Sequence, residues 1–324
     1  MTKLFSGIFL SFFLALMAMP VGAVGFQTAK TVDADGRPIA IDLWYPSDAK
    51  PTRQNFGPFH PDVAVNGAVS GHNLPLVLFS HGTGGSALSH YDTAMALAAA
   101  GFVVVTFDHP GDNYEDQTSV GSRRNLIDRP RQARAVLDYV LGDWQQRERI
   151  DSARVGMFGF SLGGFTTLVA IGGTPDLSRT AVLCTSHPEA PDCGFVRDHH
   201  GDPLDRTPTG KLTWRRDDRI KIAVVVAPAA SFTFGPGSLD KVRVPVQLWS
   251  GTADQQAPAQ WNSGVVQAAL PTPPETLVVP AAGHLAFLTP EVCSDAPPEG
   301  CAALHQTFNA KVVAFFQSKL MARH

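Results

Sequence analysis

Apolar runs bounded by turn residues recur along this chain, and their spacing indicates alternating strands and helices. The earliest run alternates apolar and other residues, as a half-buried strand does. The later runs are mostly apolar, which is typical of strands covered on both faces. Seven strands are predicted in this way, at residues 39–45, 74–79, 102–107, 154–160, 220–226, 244–249 and 275–279.

Helical patterns lie between these strands, and the clearest spans residues 130–146, where apolar side chains recur on one face. Four more helices are predicted at residues 91–100, 165–171, 259–270 and 302–320. This alternation predicts an α/β fold with a mostly parallel central sheet flanked by helices. Because no internal repeat or linker interrupts the order, residues 24–324 are expected to form a single domain.

The segment 172–218 interrupts the regular order, because it contains five prolines and shows no clear hydrophobic period. A long insertion at this point, above the carboxyl edge of the sheet, would be placed to cover a site. Long irregular segments in such positions are commonly functional. We expect an irregular insertion that covers a site as a lid.

The N-terminus predicts export. Lys3, an apolar run at residues 4–19 and small residues at Val21 and Ala23 are typical of a signal peptide, here residues 1–23, cleaved after Ala23. An uncleaved membrane anchor is the alternative, although the run is short for a span. No later segment of the sequence is long and apolar enough to cross a bilayer. The mature chain is expected in the periplasm or outside the cell, with no stable membrane span.

Composition narrows the class of protein. The 324 residues are 44% hydrophobic and 17% charged, which indicates a globular chain with a sizeable core rather than a disordered one. The formal net charge of −3 gives no electrostatic reason to expect a nucleic-acid partner.

The four cysteines allow three disulfide pairings. We expect the sequence-local pairing, Cys184 with Cys193 and Cys293 with Cys301, because each pair closes a short loop and export implies an oxidising compartment. A zinc site is the alternative. Since the sequence has no C-x-x-C spacing, no metal site is predicted.

The most informative motif is Gly-Phe-Ser-Leu-Gly at residues 159–163, between a predicted strand and a predicted helix. A G-x-S-x-G sequence in that context is typical of a nucleophile elbow, in which the serine lies at positive φ on a sharp turn. The neighbours of such a serine must be nearly free of side chains, and Gly159 and Gly163 meet this demand. Ser161 is therefore the predicted nucleophile, with an incidental turn as the alternative.

A serine hydroxyl needs an adjacent base, and the base needs an orienting acid. After an elbow, the acid and then the histidine follow later strands at their carboxyl ends. Asp254 and His284 follow the last two predicted strands, and we expect them to be the acid and the base. Asp108 and Asp240 compete with Asp254, but Asp108 comes too early in the chain and Asp240 precedes its strand.

The oxyanion of a tetrahedral intermediate requires two hydrogen-bond donors. The N–H of Leu162, at the start of the helix after the nucleophile, is one candidate. The other is the N–H of Thr83, in the glycine-rich segment Ser-His-Gly-Thr-Gly-Gly at residues 80–85. A phosphate-binding loop is the alternative for this segment, but it lacks the Gly-Lys-Ser/Thr ending of a nucleotide site.

At these motifs the chain resembles the α/β-hydrolase superfamily. Within it, the chain is most similar to the branch of predicted dienelactone hydrolases and platelet-activating-factor-acetylhydrolase-like serine esterases. The similarity extends over most of the chain from residue 39 onward and is least assured in the segment 172–218. The matching segments are residues 79–85, 107–111, 159–164, 218–221, 251–254 and 283–284.

The resemblance implies the α/β-hydrolase fold and hydrolysis of a small-molecule or lipid ester through an acyl-enzyme, without a metal or an organic cofactor. Dienelactone hydrolases proper use a cysteine nucleophile, whereas this elbow carries Ser161, so a serine carboxylester hydrolase is expected. A peptidase or an acyltransferase with the same three residues is one alternative, and a non-catalytic binding protein is another. The sequence leaves the substrate and the oligomeric state open.

Overall fold

The structure, a computed structural model, describes residues 22–202 and 213–321. Its strands are β1 (Ala23–Val32), β2 (Pro38–Ser47), β3 (Thr52–Arg53), β4 (Asp62–Val65), β5 (Leu74–Ser80), β6 (Val103–Phe107), β7 (Ile150–Phe160), β8 (Ile220–Val226), β9 (Val246–Gly251) and β10 (Glu275–Val279). Its α-helices are α1 (Tyr91–Ala99), α2 (Arg123–Gly142), α3 (Leu162–Ala170), α4 (Arg179–Ser186), α5 (Pro191–Asp198), α6 (Ser263–Ala269) and α7 (Gly300–Leu320).

The strands form one sheet in the order β10-β9-β8-β7-β5-β6-β2-β1-β4-β3. From β10 to β6 all neighbours are parallel. The strand β2 is antiparallel to β6, and β1 is antiparallel to β2 along its whole length. The predicted α/β fold with a mostly parallel sheet is confirmed, and the carboxyl ends of the parallel strands lie at one edge.

Two hydrophobic cores pack against the two faces of this sheet. Because successive side chains of a strand point to opposite faces, Leu76 and Leu78 of β5 join the core that contains α2 and α3. Val77 and Phe79 join the core that contains α1 and α7. The continuous apolar run of β5 is explained by burial on both sides, as the sequence indicated.

Some elements differ from the sequence prediction. The strands β1, β3 and β4 were not predicted, since β1 has exposed polar residues on one face and the other two are very short. Helix α2 begins at Arg123 rather than at Pro130, because the hydroxyl of Ser122 accepts a hydrogen bond from the N–H of Asn125 and caps the helix there. Pro130 consequently lies inside the helix.

The segment 172–218 is more regular than we expected, since it contains the short helices α4 and α5. A disulfide between Cys184 and Cys193 joins them, and a second disulfide joins Cys293 to Cys301 at the start of α7. Both are the sequence-local pairs. Proline and the absence of a full amphipathic period concealed two helices of only eight residues each.

Most of the predicted signal peptide lies outside the described residues, as does part of the insertion, residues 203–212. Strand β1 starts at Ala23, the residue after which cleavage is predicted. Among the helices of the described ranges, none combines the length and the apolar character that crossing a bilayer requires.

Candidate active site

Ser161 lies on the sharp turn between β7 and α3, as predicted for a nucleophile elbow. Its backbone has φ 54° and ψ −120°, a strained conformation for a residue with a side chain. A Cβ on Gly163 would overlap the carbonyl oxygen of Ser80, and one on Gly159 would overlap that of Gly163. The two glycines therefore allow α3 to pack directly against the ends of β5 and β7.

His284 brings Ser161 and Asp254 together. Its Nε2 lies 2.9 Å from the hydroxyl oxygen of Ser161, and its Nδ1 lies 2.7 Å from Oδ2 of Asp254. All three side chains are almost completely buried. A carboxylate only accepts hydrogen bonds, so Nδ1 donates to Asp254, which leaves Nε2 unprotonated and able to accept the proton of Ser161.

Backbone hydrogen bonds orient Asp254, and ring packing orients His284. Oδ1 of Asp254 accepts hydrogen bonds from the N–H groups of Gln256, at 3.0 Å, and Ala257, at 2.7 Å. His284 begins a 3₁₀ turn, His284–Phe287, and its ring packs against that of Phe160 with 4.9 Å between the centroids. The acid and the base are thus held from loops that follow β9 and β10.

The structure joins His284 to Asp254 and to neither of the competing acids. Oδ1 of Asp108 accepts from the N–H of Ala87 at 2.7 Å, which holds the loop beyond β5. Asp240 is exposed in the loop before β9. Asp108 therefore contacts the backbone of this loop rather than His284.

The two expected oxyanion donors lie on either side of Ser161. Leu162 is the first residue of α3, so its N–H has no acceptor within the helix. Thr83 follows β5, and the adjacent Gly82 approaches so closely that a Cβ there would lie 3.1 Å from Cβ of Ser161. Thr83, Leu162 and Ser161 all border one cavity.

This cavity has a volume of about 660 Å³. His284 borders it together with Ser161, and α5 of the segment 172–218 forms part of its wall. The larger apolar side chains that line it include Leu126, Phe160, Leu162, Phe195, Val196, Phe232, Leu285 and Leu288. The volume and lining suit a drug-sized apolar ligand with one reactive polar group.

Two carboxyl groups, one on the cavity wall and one on strand β2, have raised pKa values. Burial raises the pKa of Asp192, at the start of α5 on the cavity wall, to about 6. Burial, with the nearby charge of Asp108, raises the pKa of Asp42 on β2 to about 7. Neither group contacts Ser161 or His284 by a hydrogen bond in the described residues, so neither replaces the acid or the base.

Sequence reasoning missed a fully buried ion pair behind the loop that carries Thr83. Nη1 of Arg129 lies 2.6 Å from Oδ2 of Asp112, and both side chains are 0% exposed. Nothing in their local sequence marks them, because Asp112 lies in a loop and Arg129 follows 17 positions later in a helix. Only the packing of α2 against the sheet brings them together.

No cluster of three or more histidine, cysteine or acidic side chains suited to a metal ion occurs in ranges 22–202 and 213–321. His81, in the loop that carries Thr83, is occupied by other contacts. Nδ1 of His81 donates to the carbonyl oxygen of Gly82, its Nε2 accepts from the N–H of His109, and burial lowers its pKa to about 4.

Comparison with known proteins identifies the family of the chain. A family model described as the alpha/beta hydrolase family matches residues 77–296, about two thirds of the chain, from within β5 to beyond His284. The chain belongs to the alpha/beta hydrolase family. The narrower branch of dienelactone hydrolases and acetylhydrolase-like esterases stays a prediction.

Several curated relatives of this alpha/beta hydrolase match over a short stretch. A bis(hydroxyethyl) terephthalate hydrolase of Streptomyces coelicolor is 37% identical over 91 residues, 27% of this chain and 25% of that protein. Cutinase 2 of Thermobifida cellulosilytica is 34% identical over 97 residues, 28% of this chain and 32% of that protein. The chain thus spans a third or less of the length of these relatives.

A solved structure extends the likeness to nearly the whole chain. The ferulic acid esterase from Streptomyces cinnamoneus has a TM-score of 0.64 and covers 95% of this chain and 93% of its own. At 20% identity, this match shows that the two proteins share a fold.

Proposed function

We propose that this alpha/beta hydrolase is a serine carboxylester hydrolase. The observation that carries the proposal is the continuous chain of hydrogen bonds from Ser161 through His284 to Asp254 beside a cavity of about 660 Å³. A hydroxyl, an imidazole and a buried carboxylate in this order can form an acyl-enzyme and then hydrolyse it.

In the proposed reaction, His284 Nε2 takes the proton of Ser161 as Oγ attacks the ester carbonyl. The N–H groups of Thr83 and Leu162 stabilise the oxyanion that forms. His284 then gives its proton to the departing alcohol, which leaves an acyl group on Ser161. Water, deprotonated by His284, releases the acid and restores the serine.

The relatives support esters as the substrate class, because their names are those of a terephthalate ester hydrolase, cutinases and a ferulic acid esterase. The cavity supports a bulky or aromatic acyl group, since Phe160, Phe195 and Phe232 line it. We therefore propose esters of aromatic acids over short acetyl esters.

We also propose that the chain is exported. The N-terminal sequence carries this proposal, and two disulfides, which persist in oxidising compartments, support it.

The test uses Ser161→Ala with a panel of esters: p-nitrophenyl acetate, p-nitrophenyl butyrate, methyl ferulate and bis(hydroxyethyl) terephthalate. Ser161→Ala should abolish turnover of all four and labelling by a fluorophosphonate. The wild type should give a higher kcat/KM on the aromatic acyl esters than on the acetate. A Ser161→Ala variant with near-normal turnover would refute the mechanism, whereas a preference for acetate would refute only the substrate class.

A further inference from the structure

We propose that the buried pair Arg129 and Asp112 aligns both oxyanion donors, so that Arg129 is a positioning residue for the reaction. This inference rests on the proposed function, since it concerns the N–H groups of Thr83 and Leu162. It is carried by the contacts that one guanidinium makes to the two separate segments on which these donors lie.

Burying two charges costs free energy, so the position of this ion pair needs an explanation. Both side chains are 0% exposed, and burial lowers the pKa of Arg129 while Asp112 opposes that shift. A buried ion pair often stabilises a fold no better than apolar residues of the same volume would. A function in orienting neighbouring groups accounts for charges at this position.

The first set of contacts holds the loop with Thr83. Nη2 of Arg129 donates to the carbonyl oxygen of His81 and lies 3.5 Å from the hydroxyl oxygen of Ser80. Oδ1 of Asp112 accepts from the N–H of Gly84 at 2.8 Å. The two ions therefore fix the backbone two residues before Thr83 and one residue after it, which determines where the N–H of Thr83 points.

The second set of contacts reaches the helix that starts with Leu162. Nε of Arg129 donates to the hydroxyl oxygen of Thr166 at 3.3 Å, and this hydroxyl donates to the carbonyl oxygen of Leu162 at 3.0 Å. The first turn of α3 is thus tied to the same guanidinium as the loop after β5. One rigid, planar group with several N–H donors sets the spacing between the two oxyanion donors.

Asp112 is itself held on more than one side. Its Oδ2 accepts from Nδ2 of Asn125 at 2.6 Å as well as from Arg129. Asp112 thus links helix α2 to the loop after β5, where its Oδ1 accepts from Gly84. A lysine at position 129 would keep a positive charge but could not donate to His81, Asp112 and Thr166 at once. Asp112→Asn would keep an acceptor for Gly84 and remove the charge.

The experiment compares Arg129→Lys, Asp112→Asn and Thr166→Val with the wild type on p-nitrophenyl butyrate. The matched control is Arg131→Met, an arginine of the same helix that is 61% exposed. Misaligned donors weaken the transition state more than the bound substrate, so kcat should fall about 10- to 100-fold in Arg129→Lys with KM changed less than about threefold. Thr166→Val should lose about 3- to 10-fold, and Arg131→Met should match the wild type.

A second measurement separates alignment from loss of structure. The inhibitor butyl trifluoromethyl ketone is added to each variant. Oγ of Ser161 bonds to its carbonyl carbon, and the π electron pair of the carbonyl moves to the oxygen. His284 takes and keeps the proton of the serine. The adduct places an oxyanion against the two donors. Its inhibition constant should rise in the variants in proportion to the fall in kcat/KM, at temperatures well below each variant's Tm.

The inference is overturned if folded Arg129→Lys and Thr166→Val keep kcat within about threefold of the wild type. It is equally overturned if kcat falls while affinity for the ketone is unchanged, because the loss then has another origin. Thr166→Val leaves both charges in place, which keeps the test decisive if changes of the ion pair prevent folding. Full activity of Ser161→Ala would instead show that the proposed function itself is wrong.

Discussion

Asp254→Asn tests whether the acid acts by fixing the proton on His284. The substitution is nearly isosteric, but its amide must choose an orientation. Oδ1 of Asp254 accepts from the N–H groups of Gln256 and Ala257, so the amide oxygen of asparagine must stay on that side. The amide NH₂ then faces Nδ1 of His284, only 2.7 Å away in the wild type.

An NH₂ group facing Nδ1 requires that nitrogen to be an acceptor, and the imidazole must then carry its proton on Nε2. A protonated Nε2 cannot take the proton of Ser161, which lies 2.9 Å away. Losses of about 10⁴-fold in kcat follow from a wrong tautomer of this kind, equivalent to about 5 kcal/mol of barrier. The free energy of unfolding should change far less than the barrier, because the backbone contacts remain.

The assay is kcat on p-nitrophenyl butyrate at neutral pH, with urea unfolding as the check on folding. Asp240→Asn, at an exposed position, is the matched control and should leave kcat unchanged. Asp108→Asn is included because Asp108 is the competing acid. A loss below about tenfold in a folded Asp254→Asn variant would refute the reasoning, and a large loss in Asp108→Asn would move the role to Asp108.

Two further substitutions test the elbow and the buried acid. Gly163→Ala should lower kcat at least about 100-fold and destabilise the fold by about 2–4 kcal/mol, because the added Cβ meets the backbone of Ser80. The control Gly142→Ala, where a Cβ meets no other atom, should change neither kcat nor stability. Intact activity in Gly163→Ala would contradict the packing of α3 against β5. Since Asp42 has a folded pKa near 7, above its unfolded value, the wild type loses stability as pH rises from about 4 through 7. Asp42→Asn should therefore stabilise by about 1–3 kcal/mol at pH 8 and hardly at about pH 3.5, below the unfolded pKa, in urea unfolding, and an equal effect at both pH values would refute the shift.

The elements that the sequence predicted well are those whose local pattern and final burial agree. Strand β5 and residues 222–226 of strand β8 form apolar runs because both of their faces are covered, so burial alone locates them. Strand β1 escaped prediction because one face stays exposed and because its stability comes from ten residue pairs with β2. The pairing of β1 with β2 depends on the topology of the sheet, which a local sequence pattern does not reveal.

Some features of the site could also be predicted from the sequence, and others could not. The elbow could be predicted because its G-x-S-x-G pattern lies in one short stretch of chain. Gly159 is required by a contact with Gly163 in that stretch, whereas Gly163 is required by a contact with the distant Ser80. Asp254 and His284 could be predicted because parallel strands bring their carboxyl ends to a common edge. In each case a local rule of chain geometry substitutes for knowledge of the fold.

By itself, therefore, the sequence determined the order of strands and helices, the elbow and which loops would meet at the sheet edge, since these follow from periodicity and from steric demands on neighbours in the chain. Only the tertiary structure decided that Asp254 takes the bond to His284, that α5 walls the cavity, and that Arg129 reaches both His81 and Thr166. Hydrogen bonds and ion pairs between distant residues depend on distances of a few ångströms, and packing of whole elements sets those distances.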